Sequence, residues 1–212
     1  MKVKQELIVF GAGGHAKVVI DLIERQGDYA IAGVFDDDLT RKGERFFGYQ
    51  VLGTRADLPA HSSATLRRAI VTIGNNAARA AVAAYLDQRD WRFANAIHPR
   101  ASISRGATIE PGSVVMAGCV VNADAYLGAQ VILNTGATVD HDCRIEDAVH
   151  IAPGCHLCGG VSVGRGSLIG AGSTVTPGVR IGERVIVGAG STVLRDVADG
   201  ARISGVPARP LD

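Results

Sequence analysis

The chain has 212 residues, enough for one large domain or two small ones, each with a real core. Apolar residues make up 47% and aromatics only 5%, and the 27 glycines point to many tight turns around small aliphatic side chains rather than to a disordered chain. A formal net charge of +1 gives no electrostatic reason to expect nucleic acid or an anionic membrane as partner.

The opening MKVKQELIVFGAGGH has a short apolar run broken by glycines, without the apolar stretch and cleavage site of a secretory signal. No later segment approaches the length of a membrane span. A cytoplasmic protein is therefore expected, with Cys119, Cys143, Cys155 and Cys158 as reduced thiols. ELIVFGAGG reads as a buried strand entering a glycine turn, and HAKVVIDLIERQG as a helix that stops at Gly27. YAIAGVFDDD follows as a second strand, LRRAIVTIGNN as a third, ARAAVAAYLDQR as a second helix and RFANAIH as a last strand. That order describes a small Rossmann-like βαβ domain with a parallel sheet over residues 1–97.

GAGGHA after the first strand fits G-x-G-x-x-A, with Asp36 about twenty residues on, the pattern of a dinucleotide site. Residues 1–97 are too few for a second mononucleotide half, which argues against a nicotinamide enzyme. The same physics serves another ligand: Gly11, Gly13 and Gly14 let a pyrophosphate approach the backbone at a helix N-terminus, and His15 can add a hydrogen bond. A tight strand-to-helix turn with no ligand is the alternative. Asn75 and Asn76 read as caps of the second helix, with lining of the same cleft as the alternative.

From residue 98 to 212 the rhythm changes. Stepping by six from Ile103 to Val193 gives sixteen positions, all aliphatic, and four residues after each comes a small side chain. A strict six-residue period marks a parallel β-helix, one hexapeptide per face of a triangular prism, so that eighteen residues make a coil and the repeat supplies about five coils. Cys119, Cys143 and Cys155 fall on the small inward position, which makes them packing residues and argues against a thiol nucleophile or a zinc cluster. The position before the small one is most often Gly, with Asp124 and Asp142 elsewhere, types that tolerate a left-handed backbone. In VDHDCR, Val139 and Cys143 face inward, so His141 projects outward near a turn, with Ala123 and Gly159 on the coils to either side. His150 lies half a coil on, at the opposite side of the prism, so the two histidines can meet only across a subunit boundary.

FGAGGHAKVV, FDDD, TIGNN, IHPRASIS, NTGATVDHDCRI and SGVPARPL, in this order along almost the whole chain, resemble the sialic-acid O-acetyltransferase-like family. Its members include bacterial sugar-nucleotide N-acetyltransferases that act on 4-amino sugars. The resemblance implies a left-handed β-helix, acetyl-CoA as co-substrate with no metal, and a nucleotide-linked amino sugar as acceptor. It also implies a homotrimer with active sites between subunits. On the family's motifs His141 matches the general base and Asp142 its orienting acid, where some members carry Glu. Asn134 matches the active-site Asn, and His150 the histidine of a neighbouring subunit that faces the acetyl group. Gly159 matches the backbone amide that receives the thioester carbonyl, while Gly170, Ala171, Gly188 and Ala189 match positions lining the pantetheine arm. Gly11, Gly13, Gly14 and His15 would hold the sugar-nucleotide diphosphate, with Asp36 and Asp37 near the nucleoside. The reaction implied is direct transfer without a covalent intermediate. O-acetylation of a sialic acid, and a non-catalytic ligand-binding scaffold, are the alternatives.

Overall fold

The computed structural model describes residues 4–58 and 66–211. They divide into two compact units, Met1–His98 and Pro99–Asp212.

In the first unit β1 (Gln5–Phe10), β2 (Tyr29–Phe35), β3 (Arg45–Phe46), β4 (Tyr49–Gly53), β5 (Arg68–Val71) and β6 (Arg92–Phe93) form one sheet in the order β3-β4-β2-β1-β5-β6. All pairings are parallel except the β3–β4 hairpin. Leu7, Ile8, Val9 and Phe10 of β1 are all buried, as a central parallel strand covered on both faces requires. Helix α1 (Gly14–Gln26) buries Ala16, Val19, Ile20 and Ile23, one face at helical spacing, and ends at Gly27 in the left-handed conformation. Helix α2 (Asn76–Asp87) starts at Asn75, whose side-chain oxygen accepts from the Ala78 N–H at 2.9 Å, the capping role expected for it.

Two elements differ from the sequence reading. The β3–β4 hairpin was not expected, because its two-residue turn is Phe47–Gly48 rather than the Asn-Gly that usually announces one; both residues have positive φ, 46° and 92°. RFANAIH is two short strands, Arg92–Phe93 and Ala96–Ile97, rather than one.

The second unit is a parallel β-helix of two-residue strands. Three ladders of eighteen-residue spacing form its faces: Val114, Ile132, His150, Leu168 and Ile186; Val120, Thr138, His156, Thr174 and Thr192; and Tyr126, Arg144, Ser162 and Arg180. The aliphatic column fills the interior: Val121, Leu127, Leu133, Val139, Ile145 and Ile151 are each 0% exposed. It opens at its first member, Ile103, which is 36% exposed, because an end coil is covered on one side only.

The small inward residues do more than fit. Ser113 Oγ donates to the Gly128 carbonyl at 2.8 Å, Ser167 Oγ to Gly182 at 2.7 Å, Cys119 Sγ to Asn134 at 3.1 Å and Cys143 Sγ to Cys158 at 3.2 Å. Serine and cysteine occupy the same place and tie one corner to the next coil. Burial pushes the Cys119 thiol up to about 11 and raises those of Cys143 and Cys155, so these sulfurs stay protonated.

At the corners Asp124 and Asp142 are left-handed, as expected, with φ of 59° and 58°. Gln130, Ala148 and Arg184 adopt the same conformation, with φ of 59°, 55° and 51°. The expectation of Gly or Asp alone was therefore too narrow. Ladder bonds on both sides of each corner hold the backbone there, against a cost of roughly 1–2 kcal/mol per residue.

Cys119 and Cys155 are expected to resist a thiol reagent in the native protein and to react once it is unfolded, a contrast that thiol titration with and without denaturant checks. Leu133→Ala is expected to cost about 2–5 kcal/mol, seen as a lower midpoint of thermal unfolding.

Candidate active site

His141 stands at the corner that follows the strand Thr138–Val139. Adjacent side chains rarely face one another, but the left-handed turn at Asp142 swings its carboxylate back, and His141 Nδ1 meets Asp142 Oδ2 at 2.8 Å. The corner is pinned by neighbouring coils: Asp142 N–H donates to Ala123 at 3.1 Å and Gly160 N–H to the His141 carbonyl at 2.9 Å. Asp140 Oδ1 accepts from the His141 N–H at 2.8 Å and from Asn122 Nδ2, one coil below, at 2.9 Å. The imidazole lies on Gly159, where a Cβ would come within 2.6 Å of both Cε1 and Nε2. Among the described residues no acceptor faces the Gly159 N–H, while its carbonyl takes the Gly178 N–H at 3.0 Å.

The ring remains accessible, its side chain 61% exposed. The hydrogen bond to Asp142 raises the His141 pKa above its usual value, and the charge of Asp140 adds to this. Asp140 itself is lowered, first by the His141 N–H and then by Asn122. With Nδ1–H held by a carboxylate, Nε2 carries the lone pair and points away from the pair. Asp140 and Asn122 were missed in the sequence. Their eighteen-residue separation was the available signal, since it puts them in one column on successive coils.

Asn134 does not join this cluster. Its Nδ2 lies 3.1 Å from His150 Nε2, and its Oδ1 accepts from the Thr135 N–H at 2.8 Å. His150 belongs to the ladder of Ile132 and Leu168, whereas His141 follows that of Thr138 and His156. Within one chain the expected site residues therefore form two clusters, His141–Asp142–Gly159 and Asn134–His150. Gly170 and Gly188 have reasons of their own to be glycine. A Cβ on Gly170 would meet the Val187 carbonyl at 2.5 Å, and one on Gly188 the Ser204 hydroxyl at 2.6 Å. Ala171 and Ala189 are exposed.

In the first unit Gly11 has φ of 110° and packs where a Cβ would press on Thr72, so the chain can turn sharply at the end of β1. Gly13 and Gly14 border open space, with no atom within 4 Å of an added Cβ. Helix α1 has no side-chain cap and no acid in its first turn, so its N-terminus presents backbone N–H groups and positive dipole. His15 is half-buried at that turn. Asp36 and Asp37 are both engaged within the chain. Asp36 accepts from the Ala12 N–H at 2.7 Å and the Asp38 N–H at 2.9 Å, tying the glycine loop to the end of β2. Asp37 pairs with Arg55, which holds its carboxyl below the usual range. The buried Arg79, not singled out in the sequence, donates to the Ile73 carbonyl and to Asn76 Oδ1, each at 2.9 Å, and braces the loop after β5. Burial lowers its pKa to about 10, so it keeps its charge. Among the described residues no three His, Cys, Asp or Glu are grouped to hold a metal ion.

The PglD N-terminal domain family matches residues 6–86, and the bacterial transferase hexapeptide family matches residues 142–177 and 160–195. Perosamine N-acetyltransferase from Caulobacter crescentus, solved as its H141N variant with CoA and GDP-perosamine, is 40% identical with a TM-score of 0.94, over 99% of this chain and 98% of that one. The acetyltransferase domain of PglB from Neisseria gonorrhoeae FA1090 is 38% identical with a TM-score of 0.91, over 98% of this chain and 100% of that one. UDP-N-acetylbacillosamine N-acetyltransferase from Bacillus subtilis (strain 168) is 39% identical over 109 residues, so the match spans 49% of this chain and 47% of that relative. The chain belongs to the PglD-like sugar N-acetyltransferase family, the one its motifs resemble.

Gly159→Ala is expected to push the imidazole off its seat and break the bond to Asp142. The His141 pKa then falls toward about 6.5, as a pH titration of its ring resonances would record.

Proposed function

We propose that this chain is an acetyl-CoA-dependent N-acetyltransferase acting on the 4-amino group of a nucleotide-linked amino-deoxy sugar, of the UDP-4-amino-sugar or GDP-perosamine type. The observation that carries this reading is the accessible imidazole of His141, with Nδ1 on Asp142 at 2.8 Å and Nε2 over Gly159. The similarity to perosamine N-acetyltransferase, which was solved with CoA and GDP-perosamine, supports the choice of substrates.

Acetyl-CoA supplies the activated acyl group. His141 Nε2 accepts the proton that the amine must lose as its nitrogen bonds the acetyl carbon and the carbon–sulfur bond breaks. Asp142 fixes the ring's tautomer and stabilises the imidazolium, which returns the proton toward the departing thiolate. The Gly159 N–H would donate to the oxygen on which negative charge develops, an effect worth about 3 kcal/mol where it has been dissected. The buried, protonated thiols of Cys119, Cys143 and Cys155 favour direct transfer over a covalent relay.

In the first unit the glycine turn of Gly11, Gly13 and Gly14, with His15, would take the diphosphate. Asp36 acts there by holding the loop through Ala12. In the second unit Ala171 and Ala189, small and exposed beside Gly170 and Gly188, would border the pantetheine arm. A homotrimer would bring the Asn134–His150 corner of one subunit to the His141 corner of the next.

The deciding experiment follows thiol release from acetyl-CoA with UDP-, GDP- and dTDP-linked 4-amino sugars and with free sialic acid. Turnover of one nucleotide-linked amine is expected; activity on sialic acid alone would move the assignment to O-acetylation. His141→Asn is expected to lower kcat by about 100- to 10,000-fold while calorimetry still shows CoA binding. Because the base must be neutral, and its pKa is raised, the rate should fall as pH drops through a midpoint above the ordinary histidine value. Asp142→Asn should move that midpoint to lower pH while reducing the plateau, as rate–pH profiles of the two proteins would reveal.

A further inference from the structure

We infer that Asn134 is a positioning residue that holds His150 neutral, with its proton on Nδ1, so that of His141 and His150 only His141 keeps a free lone pair for proton transfer. The inference rests on the acetyl-transfer reading above and assigns the division of labour within it.

The argument needs no assumption about which end of the amide is which. The Thr135 backbone N–H can only donate, so the Asn134 atom 2.8 Å from it must be the carbonyl oxygen. The other end is then the NH₂ group, which has protons to give and no lone pair to offer, and it faces His150 Nε2 at 3.1 Å. A ring nitrogen facing a donor must accept. Nε2 is therefore unprotonated, and the neutral ring carries its proton on Nδ1. An imidazolium would set N–H against N–H, so the contact disfavours the charged form.

The surroundings reinforce this. In register on either side of His150 stand Ile132 and Leu168, both apolar. Asp147, three residues back, directs its oxygens to the Ala129 N–H at 2.9 Å and to Arg165 at 3.1 Å. The ring is half-buried.

At His141 the environment is reversed. There a carboxylate accepts from Nδ1, which favours the charged ring and leaves Nε2 to take a proton. The two rings share a tautomer but face partners of opposite kind, a carboxylate at Nδ1 of His141 and an amide NH₂ at Nε2 of His150. With its Nε2 lone pair taken up by the Asn134 amide, His150 is not a competing base.

The test is ring ¹⁵N NMR of the full chain labelled at histidine, recorded across a pH series without substrate, with His150 signals assigned by their loss in His150→Gln. The expected wild-type pattern is neutral Nδ1–H, with a protonation midpoint at least about one unit below that of His141. Asn134→Asp replaces the donor by an acceptor. The ring should then switch to Nε2–H, and its midpoint should rise by about one unit or more. Asn134→Ala should bring the midpoint toward about 6.5. A wild-type His150 that shows Nε2–H, or titrates with or above His141, overturns the inference. So does an unchanged tautomer and midpoint in both Asn134 variants, the result expected if Asn134 only packs. Since the readout is ring protonation in the absence of substrate, this inference can fail while acetyl transfer stands, and the reverse.

Discussion

Each coil of the β-helix rests on the one eighteen residues before it through parallel backbone hydrogen bonds, such as His150 N–H to Ser167 and Gly160 N–H to His141. The interior between those ladders has room for one aliphatic side chain and one small one per face, and burial of the first removes apolar area from water while the second closes the corner. The small residue also spans coils, as the Ser113 and Cys143 bonds to carbonyls fifteen residues ahead show. Everything outward of that interior inherits its spacing. A residue's neighbour above or below is set eighteen positions away, whatever its chemistry.

The geometry around His141 is a by-product of this stacking. The left-handed corner at Asp142 lets two consecutive side chains meet, and the glycine one coil on leaves room for the ring beside them. A histidine on an ordinary strand would have its neighbour on the opposite face. Here the left-handed corner brings a histidine and the next residue's carboxylate within hydrogen-bond distance. The second histidine is handled by the opposite choice of partner, an amide whose orientation a backbone N–H dictates. Charge is thereby favoured at His141.

The α/β unit follows a different logic. Its glycine turn sits at the end of the central strand β1, between β2 and β5, where the strand order reverses, the place at which ligands bind in open α/β sheets. Gly11 is needed for the turn itself, whereas Gly13 and Gly14 border open space. Asp36 supports the loop from below rather than reaching outward, and Arg79 does the same for the loop after β5.

The six-residue period by itself determined the β-helix, its inward column and the outward placing of His141. A repeat that turns one aliphatic and one small residue inward in every six matches neither the 3.6-residue period of a helix nor the two-residue alternation of a flat strand. The βαβ order and the Asn75 cap were equally legible, because helix periodicity and capping are local. The hairpin at Phe47–Gly48 was not, since phenylalanine is an unusual residue at a positive-φ turn position. Nor were the partners of Asp36, the left-handed Gln130, Ala148 and Arg184, or the meeting of Asn134 with His150. Those depend on where a side chain's atoms lie relative to a neighbouring strand or coil, and hydrogen bonds are decided over tenths of an ångström that a linear pattern does not encode.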